Sequence, residues 1–251
     1  MTANGSAGNA IEKALSVLEA LADHERITDL AETTGLPKST VHRILQSLVG
    51  HGFATSDGNG GYLPGPRALT LSGKIMHRLD PARLASPALN ALRDRTGYTV
   101  HLALRNGDEA VYVEKLTGHK PYEMPSRIGQ SLLLHSTAIG KAILAALSDE
   151  EVAAICRRTG MPRRSPHTMT SPTDLIAHLA EIRHHGYAID DEEDVEGLRC
   201  IGAAVTGNHG QVVGAVSIST LVHELPPRET RLMGTEVLTT AREISLALGA
   251  P

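Results

Sequence analysis

Residues 26 to 53, R-I-T-D-L-A-E-T-T-G-L-P-K-S-T-V-H-R-I-L-Q-S-L-V-G-H-G-F, constrain this chain more than any other stretch. They read as a short helix, a glycine turn and a second helix. Thr28 is placed to cap the first helix, and Asp29 and Glu32 fall in its opening turn, where carboxylates suit the positive end of the helix dipole. Gly35 ends that helix and Pro37 opens the next, at a position that needs no backbone donor. Val41, Ile44, Leu45 and Leu48 then follow at the i, i+3, i+4, i+7 spacing of one buried stripe. Opposite that stripe project Ser39, His42, Arg43 and Gln46, flanked by Lys38 and Thr40. Such a set offers hydrogen bonds to base edges and phosphates from a helix lying in the major groove of DNA.

Amphipathic helix pairs are common, so the flanking sequence decides the reading. Phe53 to Ser56 and Tyr62-Leu63 are short strand-like pieces around Asp57-Gly58-Asn59-Gly60-Gly61, a wing with Asn59 and Gly60 at its tip. Upstream, Ile11, Ala14, Leu15, Leu18 and Ala22 mark a helix over residues 9 to 23 that completes a three-helix core. The expected layout is a disordered stretch over 1 to 8, a winged helix-turn-helix domain over 9 to 65, and a linker helix over 66 to 80 that begins at a proline and stops at Asp80-Pro81.

Charge shapes how such a module can work. Through residue 78 the chain carries seven Lys/Arg against seven Asp/Glu, and the remainder carries 17 against 21, for a net charge of −4. A neutral module makes few phosphate contacts, so at least two must be joined on one operator for useful affinity, as a homodimer or a dimer of dimers. No apolar run approaches the roughly 18 residues that cross a bilayer, which predicts a cytoplasmic protein without a membrane partner. Cys156 and Cys200 are the only cysteines and lie in no metal-ligand spacing, so neither a disulfide framework, a metal nor a cofactor is expected. His101, His135, His167 and His178 stand alone in the sequence and read as structural or surface histidines.

After residue 80 the texture changes to α+β. A helical pattern over 83 to 96 is followed by two alternating segments around Asn106-Gly107, a strong hairpin signal. Helical patterns recur over 137 to 147, 149 to 158 and 173 to 185, strands over 200 to 205 and 212 to 219 around Asn208-His209-Gly210, and a last helix over 228 to 248. Antiparallel hairpins with grouped helices make an α+β domain over 81 to 251. Residues 190 to 196 hold six acids in seven positions; Asp190 is expected to turn inward and the others to face water.

The segments G-L-P-K-S-T-V-H-R-I-L-Q-S-L, L-L-L-H-S-T-A-I-G-K-A-I-L-A (132 to 145), G-Y-A-I-D-D-E-E-D-V-E-G-L-R-C-I-G-A-A-V (186 to 205) and V-V-G-A-V-S-I-S (212 to 219) follow in order over nearly the whole chain. In this the chain resembles the IclR family of bacterial transcriptional regulators. The resemblance implies a GAF-like effector-binding domain, a double-stranded DNA operator, and a small organic acid or related metabolite that alters operator binding. It places Asp190, Cys200, Ser217 and Ser219 on the ligand pocket, with backbone amides at Ala138 and Ile139 and an apolar wall from Met124 and Leu132. The residues agree with this. Ser217 and Ser219 share one strand face about one pleat apart, a spacing that suits the two oxygens of a carboxylate, and a helix opening at Ala138 offers unpaired amides to an anion.

Two other readings compete with this one. Cys200, Asp190 and His135 supply the residue types of a nucleophile, orienter and base, but no hydrolase signature surrounds Cys200, and Gly140-Lys141 lacks the remainder of a phosphate-loop pattern. An enzyme is therefore not expected. The second is a DNA-binding protein whose C-terminal domain takes no ligand. Effector identity, operator sequence and the sign of regulation, repressor or activator, are not written in these residues.

Overall fold

The computed structural model describes residues 9 to 79, 81 to 207 and 209 to 250. The expected disordered stretch 1 to 8, the last linker residue 80 and the turn residue 208 lie outside them. The chain forms two compact units that divide between residues 80 and 81.

The first unit runs α1 (Ala10–Ala20), α2 (Ile27–Thr34), α3 (Lys38–Gly50), β1 (Ala54–Ser56), β2 (Tyr62–Pro64) and α4 (Pro66–Leu79). Asn9 and Glu12 form a capping box that starts α1, with the Asn9 Oδ1 accepting from the amides of Ile11 (2.8 Å) and Glu12 (3.0 Å). Gly35 ends α2 at φ 66°, a left-handed turn that costs glycine little. Val17, Leu21, Leu30, Val41, Leu45, Ala54 and Tyr62 make the core, and full burial of a side chain such as Leu45 contributes about 1.5–3 kcal/mol.

Two sequence expectations fail in this unit. Helix α1 buries Val17 and Ala20, and its C-cap Leu21, rather than Ile11 and Leu15, which remain 69% and 52% exposed; Ala22, beyond the helix, is exposed too. Apolar residues mark two overlapping faces of this helix, and periodicity alone does not choose between them; packing against α2 and α3 does. Thr28 does not cap α2. Arg26 occupies that position in extended conformation, and the Thr28 hydroxyl donates instead to Asp29 (3.0 Å). The cause is the wing: Arg26 bridges to Gly61, and the Tyr62 amide donates to the Glu25 carbonyl at 2.8 Å, so strand pairing fixes where the helix begins.

The second unit runs α5 (Pro81–Thr96), β3 (Thr99–Asn106), β4 (Glu109–Leu116), β5 (Ser131–Leu132), α6 (Ala138–Ala145), α7 (Asp149–Thr159), α8 (Pro172–His185), β6 (Ala188–Asp191), β7 (Leu198–Thr206), β8 (Val212–Leu221) and α9 (Pro227–Ala247). Its antiparallel sheet has the order β5-β4-β3-β8-β7-β6. Strand alternation sends Val100, Leu102, Ile201, Ala203, Val216 and Ile218 to one face, against Leu89 and Leu92 of α5 and Val237 and Ile244 of α9. The other face carries Ala103 and Ala215 beneath α6, α7 and α8, and it is here that polar residues gather. This is the GAF-like α+β arrangement expected from the sequence.

The β3–β4 turn is shifted by one residue from expectation. Asn106 pairs with Glu109, so the two loop residues are Gly107 and Asp108, and of these Gly107 takes the positive φ, 62°. Glycine at the first loop position is one of the favoured hairpin solutions. Among the described residues, no helix is long and apolar enough to cross a membrane.

Candidate functional site

Helix α3 and the wing define the first candidate surface. Lys38, Ser39, His42, Arg43 and Gln46 are exposed and Thr40 is half-buried, on the side of α3 away from the buried Val41 and Leu45. Lys38 and Arg43 have no carboxylate partner among the described residues, so both cations are available to phosphates or base edges. Gln46 differs from expectation. Its amide donates to the Tyr62 hydroxyl (3.1 Å), which ties the helix to β2 and commits one of its donors. At the wing tip the Asp57 carboxylate accepts from the amides of Asn59 (2.8 Å) and Gly61 (2.8 Å), and these bonds hold it below the usual carboxylate range. Asn59 and Gly60 are thereby presented on an ordered, exposed turn.

The second site is a cavity of about 310 Å³ beside the sheet of the second unit. All eight residues expected to bind an effector, Ala138, Ile139, Asp190, Cys200, Ser217, Ser219, Met124 and Leu132, line it. Strand register explains the convergence. Asp190 pairs with Cys200, Cys200 with Ser219, and in the adjacent row Gly202 pairs with Ser217 and Ser217 with His101. Residues level with one another across a sheet point to the same face, so two rows of polar groups face one space. The Ser217 hydroxyl makes no hydrogen bond to any described residue, which leaves it for whatever occupies the cavity.

Helix α6 closes the opposite side. The Thr137 hydroxyl accepts from the Gly140 amide (3.0 Å) and the Thr137 carbonyl from the Lys141 amide (2.9 Å). The amides of Ala138 and Ile139 find no acceptor among the described residues, and together with the helix dipole they favour an anion. Gly202 permits this approach: a Cβ there would lie 2.9 Å from the Ala138 carbonyl carbon and 3.0 Å from the Ile139 amide.

The acidic run is where expectation fails most. Asp190 does turn inward and accepts from the Glu193 amide (2.8 Å), but Glu193 is buried as well, paired with the fully buried Lys141, which also donates to the Ile189 carbonyl at 2.6 Å. Lys141 is the reason: a buried ammonium needs a carboxylate, and the partner comes from a segment about fifty residues away, out of reach of any local pattern. Asp194 lies at the cavity wall, accepting from the Ser136 hydroxyl (2.9 Å) with the Arg164 Nε at 3.5 Å. Burial, with Glu193 and Asp194 beside it, pushes the Asp190 carboxyl up to about 7.

Sequence reasoning missed His101, Tyr112, Ser126, Gln130, Thr137, Arg164 and Asp194 as cavity residues. For His101 a signal existed: it interrupts the apolar alternation of Val100, Leu102 and Ala103 and therefore faces the same side as Ala103. Cys200, Asp190 and His135 do not assemble into a hydrolytic set. Burial pushes the Cys200 thiol up, away from thiolate, and His135, outside the cavity, engages the Pro162 carbonyl at 3.1 Å.

Comparison with known proteins matches both units to domains of one family. Residues 10 to 58 match the IclR helix-turn-helix domain, and residues 73 to 246 match the bacterial transcriptional regulator IclR C-terminal domain. The chain is 34% identical to the HTH-type transcriptional regulator XynR of Escherichia coli K12, over 96% of this chain and 97% of that one. It is 35% identical to the HTH-type transcriptional repressor AllR of Klebsiella pneumoniae, over 96% and 90%. The crystal structure of Thermotoga maritima IclR superposes with a TM-score of 0.73 at 30% identity, covering 96% of this chain and 99% of that chain. The chain therefore belongs to the IclR family of bacterial transcriptional regulators, with an N-terminal helix-turn-helix module and a C-terminal effector domain.

Proposed function

We propose that this regulator reads a pseudo-palindromic operator as a homodimer or dimer of dimers, and that a small carboxylate or sugar acid held in the cavity sets its operator affinity. Residues 9 to 65 act as the DNA-binding domain, 66 to 80 as the linker, and 81 to 251 as the effector and oligomerisation domain. The observation that carries the reading is the convergence of two unpaired helix amides and the Ser217 and Ser219 hydroxyls on one cavity. These are donors, and a donor-lined space at a helix N-terminus selects an anion. The remaining wall, with Met124 and Leu132 apolar and Gln130 and Asp194 polar, suits a short carbon chain bearing hydroxyls. A thermal-shift screen with small carboxylates tests this, because a ligand that prefers the native state raises its apparent stability. A cavity that answers only to cations or uncharged apolar compounds would refute it.

On the DNA side Arg43, Lys38, Ser39, Thr40, His42 and Gln46 enter the major groove, and Asn59 and Gly60 approach the neighbouring backbone. Arg43→Ala weakens operator binding by about 1–3 kcal/mol per contact if the guanidinium pairs bidentately with guanine, and selectively for the cognate sequence. A uniform loss on every duplex would identify a phosphate contact, and unchanged affinity would remove Arg43 from the interface.

Asp190 gives effector binding a pH dependence of known sign. An anionic effector is repelled by ionised Asp190, and the carboxyl ionises near 7, so affinity is full below that pH and falls by up to roughly tenfold per unit above it. Asp190→Asn keeps an oxygen for the Glu193 amide and removes the charge. The variant is expected to bind as the wild type does at low pH, with a flat profile from pH 6 to 8, measured by calorimetric titration. A profile that still falls above pH 7 would assign the dependence to another group.

A further inference from the structure

His101 is buried on the cavity wall, 1% exposed, and its two ring nitrogens face different hydroxyls. Nε2 lies 2.7 Å from the Ser126 Oγ, and Nδ1 lies 3.4 Å from the Ser219 Oγ. The Tyr112 ring packs against the imidazole with centroids 4.7 Å apart, so the ring's position is set by packing as well as by its polar partners.

A neutral imidazole has one N–H and one lone pair, and the choice between its nitrogens decides what Ser219 offers the cavity. With the hydrogen on Nδ1, the Ser219 oxygen accepts from the ring and its own hydrogen can turn inward to the cavity, with the neighbouring Cys200 sulfur as its competing acceptor. With the hydrogen on Nε2, Ser219 must donate to the ring and shows the cavity only lone pairs, which repel an anion. Resting on the carboxylate reading above, we propose that His101 is the positioning residue of this pocket, donating from Nδ1 to Ser219 and accepting at Nε2 from Ser126, so that the Ser219 hydroxyl hydrogen is aimed at the bound carboxylate.

The surroundings select that tautomer. Lys115, paired with His101 across β3 and β4, donates from Nζ to the carbonyls of Met124 (2.7 Å) and Ser126 (2.8 Å), which sets a cation on the Ser126 side of the ring. A lone pair on Nε2 is favoured there over an N–H dipole. Ser219 lies on the other side, in register with Cys200, which pairs in turn with the acid Asp190, and there an N–H is favoured. Burial first, and Lys115 second, also keep the ring uncharged by drawing its pKa down to about 3. Glu114 accepts from the Lys115 backbone amide (3.0 Å), and the Glu123 Oε1 lies 4.0 Å from the Lys115 Nζ.

The test uses the full-length protein labelled with ¹⁵N-histidine, with His101 identified by the signal that His101→Asn removes. At pH 7 the long-range proton–nitrogen correlations are expected to show a neutral ring protonated at Nδ1. Affinity for pyruvate and D-gluconate, the probes, should fall roughly 10-fold or more in His101→Leu and stay within about 3-fold in His101→Asn, whose amide reaches the Nδ1 position. A ring protonated at Nε2 or at both nitrogens, with binding of either acid intact in the wild type, overturns the role of His101 alone. So does His101→Leu at wild-type affinity. A wild type that binds neither acid overturns the carboxylate reading and the proposed role with it.

Discussion

Alanine at both Ser217 and Ser219 is expected to abolish the response to effector. The two hydroxyls lie two residues apart on β8, both face the cavity, and the Ser217 hydroxyl has no other partner among the described residues. Each hydrogen bond to a charged group is worth about 1.5–3 kcal/mol, so losing both lowers affinity for a carboxylate by roughly 100-fold or more. The fold is expected to tolerate the change, since alanine fits a buried strand and the main group left without its partner is the His101 Nδ1, at a cost of about 1–3 kcal/mol. Apo operator binding, which depends on α3 and the wing, should be retained. Isothermal titration with the effector found by thermal shift, beside operator binding without it, checks both halves. A double variant that still responds at wild-type effector concentration would move the anion site elsewhere.

Lys141→Met destabilises the second unit by about 3–5 kcal/mol, the usual cost of leaving a buried charge without its partner. Lys141 is fully buried; its ammonium is held by Glu193 and the Ile189 carbonyl, while the Glu193 Oε2 has no partner among the described residues. Without Lys141 the carboxylate is stranded and must protonate. Burial already raises the Glu193 pKa, with Lys141 opposing the rise, and the substitution raises it further. A carboxyl whose folded pKa lies above its unfolded value holds its proton more tightly in the folded state. Stability then falls as pH rises from the unfolded value to the folded one, so the deficit of the variant shrinks on acidification toward about pH 4–5. Lys141→Met with Glu193→Met should recover most of the loss, because a packed apolar pair often matches a buried ion pair. The loop need not detach, since Ser165 and Thr168 hydroxyls still hold the Glu193 carbonyl at 3.2 and 2.6 Å. Urea unfolding followed by circular dichroism measures this; a single variant within about 1 kcal/mol of wild type would show that the pair contributes little.

How much of this was legible in the residues depends on the range of the interaction that decides each feature. The buried stripe of α3 through Val41 and Leu45, the glycine stop at Gly35 and the shared face of Ser217 and Ser219 follow from local periodicity, and the structure agrees with them. Strand β6 was hidden because Asp190 and Asp191 begin an acidic run that reads as loop, and its strand character comes from pairing with β7. The inward turn of Glu193 was invisible because its partner Lys141 lies on another element. The start of α2 was set by a bridge from Arg26 to Gly61, again a contact distant in sequence. In the sequence His101 reads as a lone histidine; its partners Ser126 and Ser219 are brought to it by a loop and by the neighbouring strand.

On the function proposed above, a carboxylate in the cavity of the second unit changes the affinity of the first unit for DNA. Fluorescence anisotropy on a duplex from the gene's own upstream region, at fixed salt, measures it with and without saturating effector. Coupling of this kind is typically worth about 1–3 kcal/mol, so the operator Kd should shift by at least roughly 5-fold in the wild type and remain fixed in the Ser217→Ala, Ser219→Ala variant. A carboxylate that saturates the cavity by calorimetry yet leaves the operator Kd unmoved would show that the two units are not coupled.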